Sequence, residues 1–166
     1  MASNQPVVLI TGAGGRIGTA IRAALGDDYQ VVGLERMCRD MPDCFEVDIT
    51  SEEKLGEVLE AVRETYGSRI ASVIHLAAYF DFTGEPNPKY DEVNVEGTRR
   101  LLRALRHLEV EQFIYASTML VHAPTDPGKP INEDSPLGPR WAYPISKVAA
   151  EEADVVVAVG TRLQDF

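Results

Sequence analysis

Gly12-Ala13-Gly14-Gly15-Arg16-Ile17-Gly18 stands directly between two segments of opposite periodicity. Before it runs Val7-Val8-Leu9-Ile10-Thr11, a β-branched apolar strand buried on both faces. After it, Ile17, Ala20, Ile21, Ala24 and Leu25 recur at helical spacing until Gly26-Asp27-Asp28 stops the helix. A glycine pattern alone says little. Between a strand and a helix it predicts a phosphate-binding turn. Gly12 permits the tight turn, Gly15 lets backbone approach a pyrophosphate, and Gly18 lets helix pack closely on sheet. Gly14, Arg16 and Ile17 complete a loop whose N–H groups open the helix toward an anion.

The rest of the chain repeats the alternation. Strands are predicted at Tyr29 to Leu34, Cys44 to Val47, Ile70 to Leu76, Gln112 to Ala116 and Val155 to Val159. Between them lie three helices. One is capped by Ser51 and turns Leu55, Val58, Leu59 and Val62 inward. The second runs from Tyr90 to Leu108, and the third from Trp141 to about Ala153. Strand–helix alternation implies an α/β fold: a Rossmann-type, doubly wound parallel sheet of order 3-2-1-4-5-6 with helices on both faces. A length of 166 residues fits one domain, 1–166. The segments Phe80 to Pro88 and Met119 to Arg140 are long, polar and proline-rich. Both follow carboxyl ends of strands, where ligands sit in open α/β sheets.

A formal net charge of -10 excludes nucleic acid as a natural partner, because phosphates repel such a surface. No apolar run reaches membrane-spanning length and the first residues do not resemble a signal peptide, so the expected address is cytoplasmic. Cys38 and Cys44 are then expected as two reduced thiols. No residue set suggests a metal.

Glu35 ends the second strand, where an acid accepts hydrogen bonds from an adenosine ribose and repels a 2′-phosphate. That favours NAD over NADP, although Arg36 beside it is able to welcome the phosphate. Asp48 and Ile49 end the third strand, a carboxylate for the adenine amine and an aliphatic side chain for the ring face. Tyr143 and Lys147, four apart at a helix start, share one face. Pro144 is tolerated between them because a first-turn N–H has no partner within the helix. A phenol with a pKa near 10 is a poor base, and a neighbouring ammonium with an oxidised nicotinamide lowers it. Tyr143 then moves a proton while hydride passes to or from the ring. On its own, a Tyr-x-x-x-Lys spacing more often marks a surface pair.

Five motifs occur in order: Thr11 to Gly18, His75-Leu76-Ala77-Ala78, Asn94-Val95-Glu96-Gly97-Thr98, Tyr115-Ala116-Ser117-Thr118 and Tyr143-Pro144-Ile145-Ser146-Lys147. The series resembles the extended short-chain dehydrogenases/reductases, the NAD-dependent epimerase/dehydratase family, over about residues 6 to 152. The resemblance implies that Thr118 is the active-site hydroxyl, Tyr143 the acid/base and Lys147 its partner. Asn94 orders the site, and Leu76, Ala77 and Ala78 line the nucleotide. It implies an NAD-dependent oxidoreductase or epimerase for a hydroxyl- or keto-bearing small molecule such as a sugar derivative, and a homodimer through helices 90–108 and 141–153. His75 is expected as a packed, hydrogen-bonded histidine and His122 as a loop residue near the site.

Two departures stand out. Dehydratases of this family follow the active-site hydroxyl with an acid; here Met119 and Leu120 stand there, which disfavours elimination. Relatives run to roughly twice this length, so most of the substrate half is expected to be missing. Residues 153–166 instead resemble a middle-domain segment of thiamine-diphosphate enzymes, unless Val155 to Val159 simply form the sixth strand. The alternatives to an enzyme are therefore an NAD-binding module or a truncated or fused fragment without turnover.

Overall fold

The computed structural model describes residues 5–152. Its main sheet contains β1 (Val7–Thr11), β2 (Gln30–Glu35), β3 (Cys44–Glu46), β5 (Ser72–His75) and β7 (Phe113–Tyr115). All pairs are parallel, in the order β3-β2-β1-β5-β7. These are the first five positions of the expected sheet. The segment expected as a sixth strand, 155–159, and the whole 153–166 tail lie outside the described residues. Thr11 is level with Leu34 on one side and His75 on the other, so three strands end on one rim.

Alternation along β1 sorts the core into two layers. Val7 and Leu9 join Val32, Leu34 and Val73 beneath α2 (Glu52–Tyr66) and α3 (Thr98–Leu105). Val8 and Ile10 join Ala13 and Ile74 on the other face, against Ile21 and Leu25 of α1 (Arg16–Leu25). The inward row of α1 is Gly18, Ile21 and Leu25. Ile17, expected to point inward, is 63% exposed. Starting the helix against the sheet with a glycine turns the helix by one residue from the expected phase.

Local chemistry explains α2. The Ser51 hydroxyl accepts from Lys54 N at its start, Glu52 and Glu53 occupy the positive end of the helix dipole, and Arg63 the negative end. Leu55, Leu59 and Val62 form the buried stripe.

Three expected elements differ. The strand predicted for Ile70 to Leu76 divides into β4 (Arg69–Ile70) and β5, because Ala71 donates to Val7 O between them. β4 pairs with β6 (Glu109–Val110) in a separate two-stranded parallel ribbon. The long helix predicted from Tyr90 begins as a π-helical stretch, Tyr90–Gly97, and becomes α3 only at Thr98. Finally, Cys38 and Cys44 are joined as a disulfide, not held as thiols. Arg39 and Asp43 both adopt φ 48° and turn the connecting chain back, which brings the cysteine Cα atoms to 5.7 Å. The last helix, α4 (Ala142–Glu151), packs on the π-helical stretch. Among the described residues no helix is long and apolar enough to cross a membrane.

Leu101 is fully buried in the larger layer. Leu101→Ala should cost ~2–5 kcal/mol of unfolding free energy in urea titrations, whereas Ile17→Ala, at an exposed site, should change it by less than about 0.5 kcal/mol.

Candidate active site

The strand ends open into a cleft of about 610 Å³. Its floor is the glycine turn. Gly12 has φ 71°, and a Cβ there would sit 2.9 Å from Ala77 N, so backbone meets backbone with no room for a side chain. A Cβ on Gly18 would lie 2.4 Å from Gly12 O; this glycine is what lets α1 begin so close to the turn. Gly12 and Gly15 line the cleft, with Leu76, Ala77 and Ala78 along another wall. Gly14, Arg16, Ile17 and Gly18 do not line it: Gly18 is buried under α1 and the other three face outward around the turn.

Glu35 closes the β2 end. Its Oε1 accepts from Gly14 N at 3.0 Å and its Oε2 from Arg36 N at 3.1 Å, fixing the carboxylate between glycine turn and strand end. Asp48 and Ile49 line the adjoining wall. Asp48 Oδ1 accepts from Thr50 N and Thr50 Oγ1, so the carboxylate also shapes its own turn. Ile49 is mostly buried and packs against Gly97, where a Cβ would come within 2.9 Å of its Cδ1. Across the opening stand Tyr79, Phe80, Lys89 and Glu92, which sequence reasoning left unassigned. Only Phe80 had a signal in the sequence, its place in the long loop Phe80 to Pro88.

Behind the cleft a buried relay joins the elements. His75 Nδ1 lies 2.6 Å from Thr11 Oγ1, and Nε2 lies 2.9 Å from Thr98 Oγ1. Thr98 spends its hydroxyl proton on Asn94 O at 2.6 Å, so it must accept from Nε2–H. Thr11 in turn donates to Nδ1 while accepting from Leu76 N and Ala77 N. The Asn94 side chain continues the relay. Its Oδ1 accepts from Tyr79 N, and its Nδ2 donates to Tyr79 O and to Ser146 Oγ. Ser146 then donates to Tyr143 O at 2.7 Å. Glycine turn, π-helical stretch and α4 thus share one hydrogen-bonded path. His75 is the packed histidine expected from its place at a strand end.

Tyr143 and Lys147 occupy one face of α4. Lys147 is almost wholly buried, donates to Ala116 O at 2.9 Å, and lies 4.6 Å from the Tyr115 ring centroid and 5.7 Å from that of Tyr143. Burial pushes its pKa down to about 8, against an opposing pull from Glu151. The sequence expectation is a Tyr143 phenol lowered by this ammonium together with an oxidised nicotinamide. In the protein alone it is raised, first by burial and then by the neighbouring Tyr90. Phe80 covers the Tyr143 ring edge-on at 4.7 Å. Thr118 caps the turn Met119–Val121, its Oγ1 accepting from Leu120 N at 3.3 Å. His122 Nδ1 meets Ser135 O at 3.2 Å and ties the following loop together.

This arrangement defines the class: a dinucleotide-binding α/β domain with a tyrosine–lysine helix at its rim. Residues 8–158 match the NAD dependent epimerase/dehydratase family, and the chain belongs to that family. It is 32% identical to UDP-glucose 4-epimerase of Mycolicibacterium smegmatis over 158 residues, 86% of this chain and 48% of that protein. With the NAD-dependent glucose-6-phosphate dehydrogenase of Haloferax volcanii it shares 35% identity over 129 residues, 69% of this chain and 44% of that protein. A short-chain dehydrogenase/reductase superfamily protein from Agrobacterium tumefaciens, solved with bound NAD, superposes with a TM-score of 0.72 at 29% identity, covering 89% of this chain and 43% of that one. The chain spans under half the length of each of these relatives.

His75 is held to a pKa of about 3, first by burial and then by the Lys147 charge. An unfolded chain takes up that proton near pH 6.5, but the folded chain does not until about pH 3. Folding stability therefore falls as pH drops through that window. Urea titrations from pH 6.5 to pH 4 should show the stability advantage over His75→Gln narrowing by up to ~1.4 kcal/mol per pH unit. Parallel pH profiles would mean that His75 protonates in the folded state.

Proposed function

We propose that this chain is the NAD-binding part, a single domain over 1–166, of an oxidoreductase or epimerase acting on a hydroxyl- or keto-bearing small molecule such as a sugar derivative. The observation that carries the reading is the joint placement of a glycine-floored cleft and the buried Lys147 beside Tyr143, linked through Asn94 and His75. The cleft fits a dinucleotide: its floor is backbone where a Cβ cannot stand, and a fixed carboxylate closes the ribose end. NAD-bound neighbours and the family assignment support the same cofactor.

The glycine turn holds pyrophosphate by backbone N–H groups at the start of α1. Glu35 orients the adenosine ribose and repels a 2′-phosphate, which selects NAD over NADP. Asp48 and Ile49 flank the adenine, and Leu76, Ala77 and Ala78 bound the dinucleotide along β5. When bound, NAD supplies the hydride acceptor and a positive charge that favours phenolate. Tyr143 takes the substrate hydroxyl proton, Thr118 hydrogen-bonds the same oxygen, and Lys147 holds the ribose and stabilises the phenolate. Met119 and Leu120 carry no proton, so elimination is not part of the reading. Asn94 positions α4 against the cleft. The protein works in the cytoplasm as a homodimer through helices 90–108 and 141–153, with no nucleic-acid or membrane partner.

A second reading, an NAD-binding module without turnover, is favoured by Phe80 lying against the Tyr143 ring. Tyr143→Phe separates the two. It should abolish NAD-dependent oxidation across a panel of sugars and cyclic alcohols while leaving NAD affinity within about twofold in calorimetric titration. Turnover that survives the change would remove Tyr143 from the acid/base role. Absence of turnover in the unaltered chain, with NAD bound, would favour the module.

Glu35→Ala should narrow the NAD-over-NADP preference by roughly 10-fold or more, read from paired titrations with the two cofactors. An unchanged preference would take Glu35 out of the selection.

A further inference from the structure

The connection from β2 to β3 carries a feature that the cofactor reading does not use. Residues 38–44 form a ring closed by the Cys38–Cys44 bond, and the ring begins three residues after Glu35. Inside it, Met41 N donates to Cys38 O at 3.0 Å, which turns the Met41 side chain toward the sheet. Its Sδ lies 2.9 Å from where a Cβ on Gly33 would stand, and its Cε lies 3.3 Å from the same position on Gly14. Met41 is therefore laid across β2 and against the glycine turn. The Cys44 sulfur sits 3.3 Å from the same Gly33 position, so disulfide and methionine build one wall.

Three further contacts hold that wall. Gly33 donates to Asp43 O at 2.8 Å, Cys38 donates to Glu46 Oε1 at 3.1 Å, and Gly14 donates to Glu35 Oε1 at 3.0 Å. Arg39 and Asp43, neither a glycine, are both kept in the left-handed region at φ 48°. L-residues leave that region when nothing confines them. Here the closed ring confines them. Cys38 and Cys44 are both only partly buried, so a small thiol can reach the bond.

We propose that Cys38–Cys44 is a reversible redox site that sets how tightly the cleft holds the adenosine end of its cofactor. The proposal rests on the NAD reading of the cleft. A dithiol reductant donates two electrons and two protons: the S–S bond breaks, two cysteine thiols form, and the reductant closes to its own disulfide. Opened, the ring lets Arg39 and Asp43 relax, Met41 lifts from Gly14, and the glycine turn loses the packing that holds it against Glu35. An ordered loop binds more tightly than one that must be ordered on binding. The oxidised protein is the high-affinity form.

The test is calorimetric titration of the full chain with NAD, once after mild oxidation and once in excess dithiothreitol, with thiols counted by alkylation and mass spectrometry. Oxidised protein should show no alkylatable thiol, reduced protein two, and reduction should raise the NAD Kd by roughly 3–10-fold, reversibly. Circular dichroism of the reduced wild type checks that the fold persists, so the result does not depend on a cysteine variant folding. Cys38→Ser with Cys44→Ser should bind like the reduced form and ignore reductant. Met41→Ala should lose most of the redox difference while keeping the disulfide. Equal NAD affinity in both redox states, or two free thiols after oxidation, overturns the redox site and leaves the cofactor reading standing. Failure of both forms to bind NAD overturns the cofactor reading and the redox site with it.

Discussion

A neutral imidazole at the end of β5 holds the site's parts in register. Its two nitrogens need one donor and one acceptor, and the fold supplies each from a different element: Thr11 at the end of β1 and Thr98 at the start of α3. With no water available to a fully buried ring, losing either partner strands a polar atom in the core. The glycine turn that follows Thr11 and the asparagine one turn before Thr98 are thereby fixed relative to each other. The cleft floor and α4 are parts of one buried polar path.

Charge is handled differently at the two ends of that path. At the cleft, both Glu35 oxygens are engaged by backbone N–H groups, which sets the direction of the carboxylate. At α4, Lys147 is buried with one carbonyl and an aromatic face for company, and its ammonium is only partly supported. Among the described residues the nearby Tyr115 hydroxyl is buried without a hydrogen-bond partner, and burial raises its pKa strongly. Such unsupported polar groups weaken the fold locally and leave hydrogen-bonding capacity free for a ligand.

Much of this was readable before any coordinates. The five-strand order, the glycine turn, Glu35, Asp48 with Ile49, and the shared face of Tyr143 and Lys147 are all legible in the sequence; Gly12, Gly15, Glu35, Asp48, Ile49, Leu76, Ala77 and Ala78 line the cleft, while Gly14, Arg16, Ile17, Gly18, Tyr143 and Lys147 do not. What escaped depends on three-dimensional closure. The disulfide is accompanied by two residues turning left-handed, a conformation that nothing in Arg39 announces and that Asp43 favours only weakly. The inward leucines all lie in α3, and the π-helical stretch before it buries Tyr90, Asn94, Val95 and Gly97, so the leucine periodicity does not report it. The phase of α1 is set by Gly18 meeting Gly12, not by the apolar row that includes Ile17. Spacing places Lys147 near Tyr143, but does not show that its ammonium donates to Ala116 O.

The small ribbon of β4 and β6 lies at the opposite ends of the strands from the cleft, braced by the Arg69–Glu111 ion pair and by Glu109 N donating to Ser68 O. The far end of the sheet thus carries extra backbone pairing, whereas the cleft end carries loops. Amide protons in the paired strands are expected to exchange with solvent through larger openings than those in the loops around the cleft.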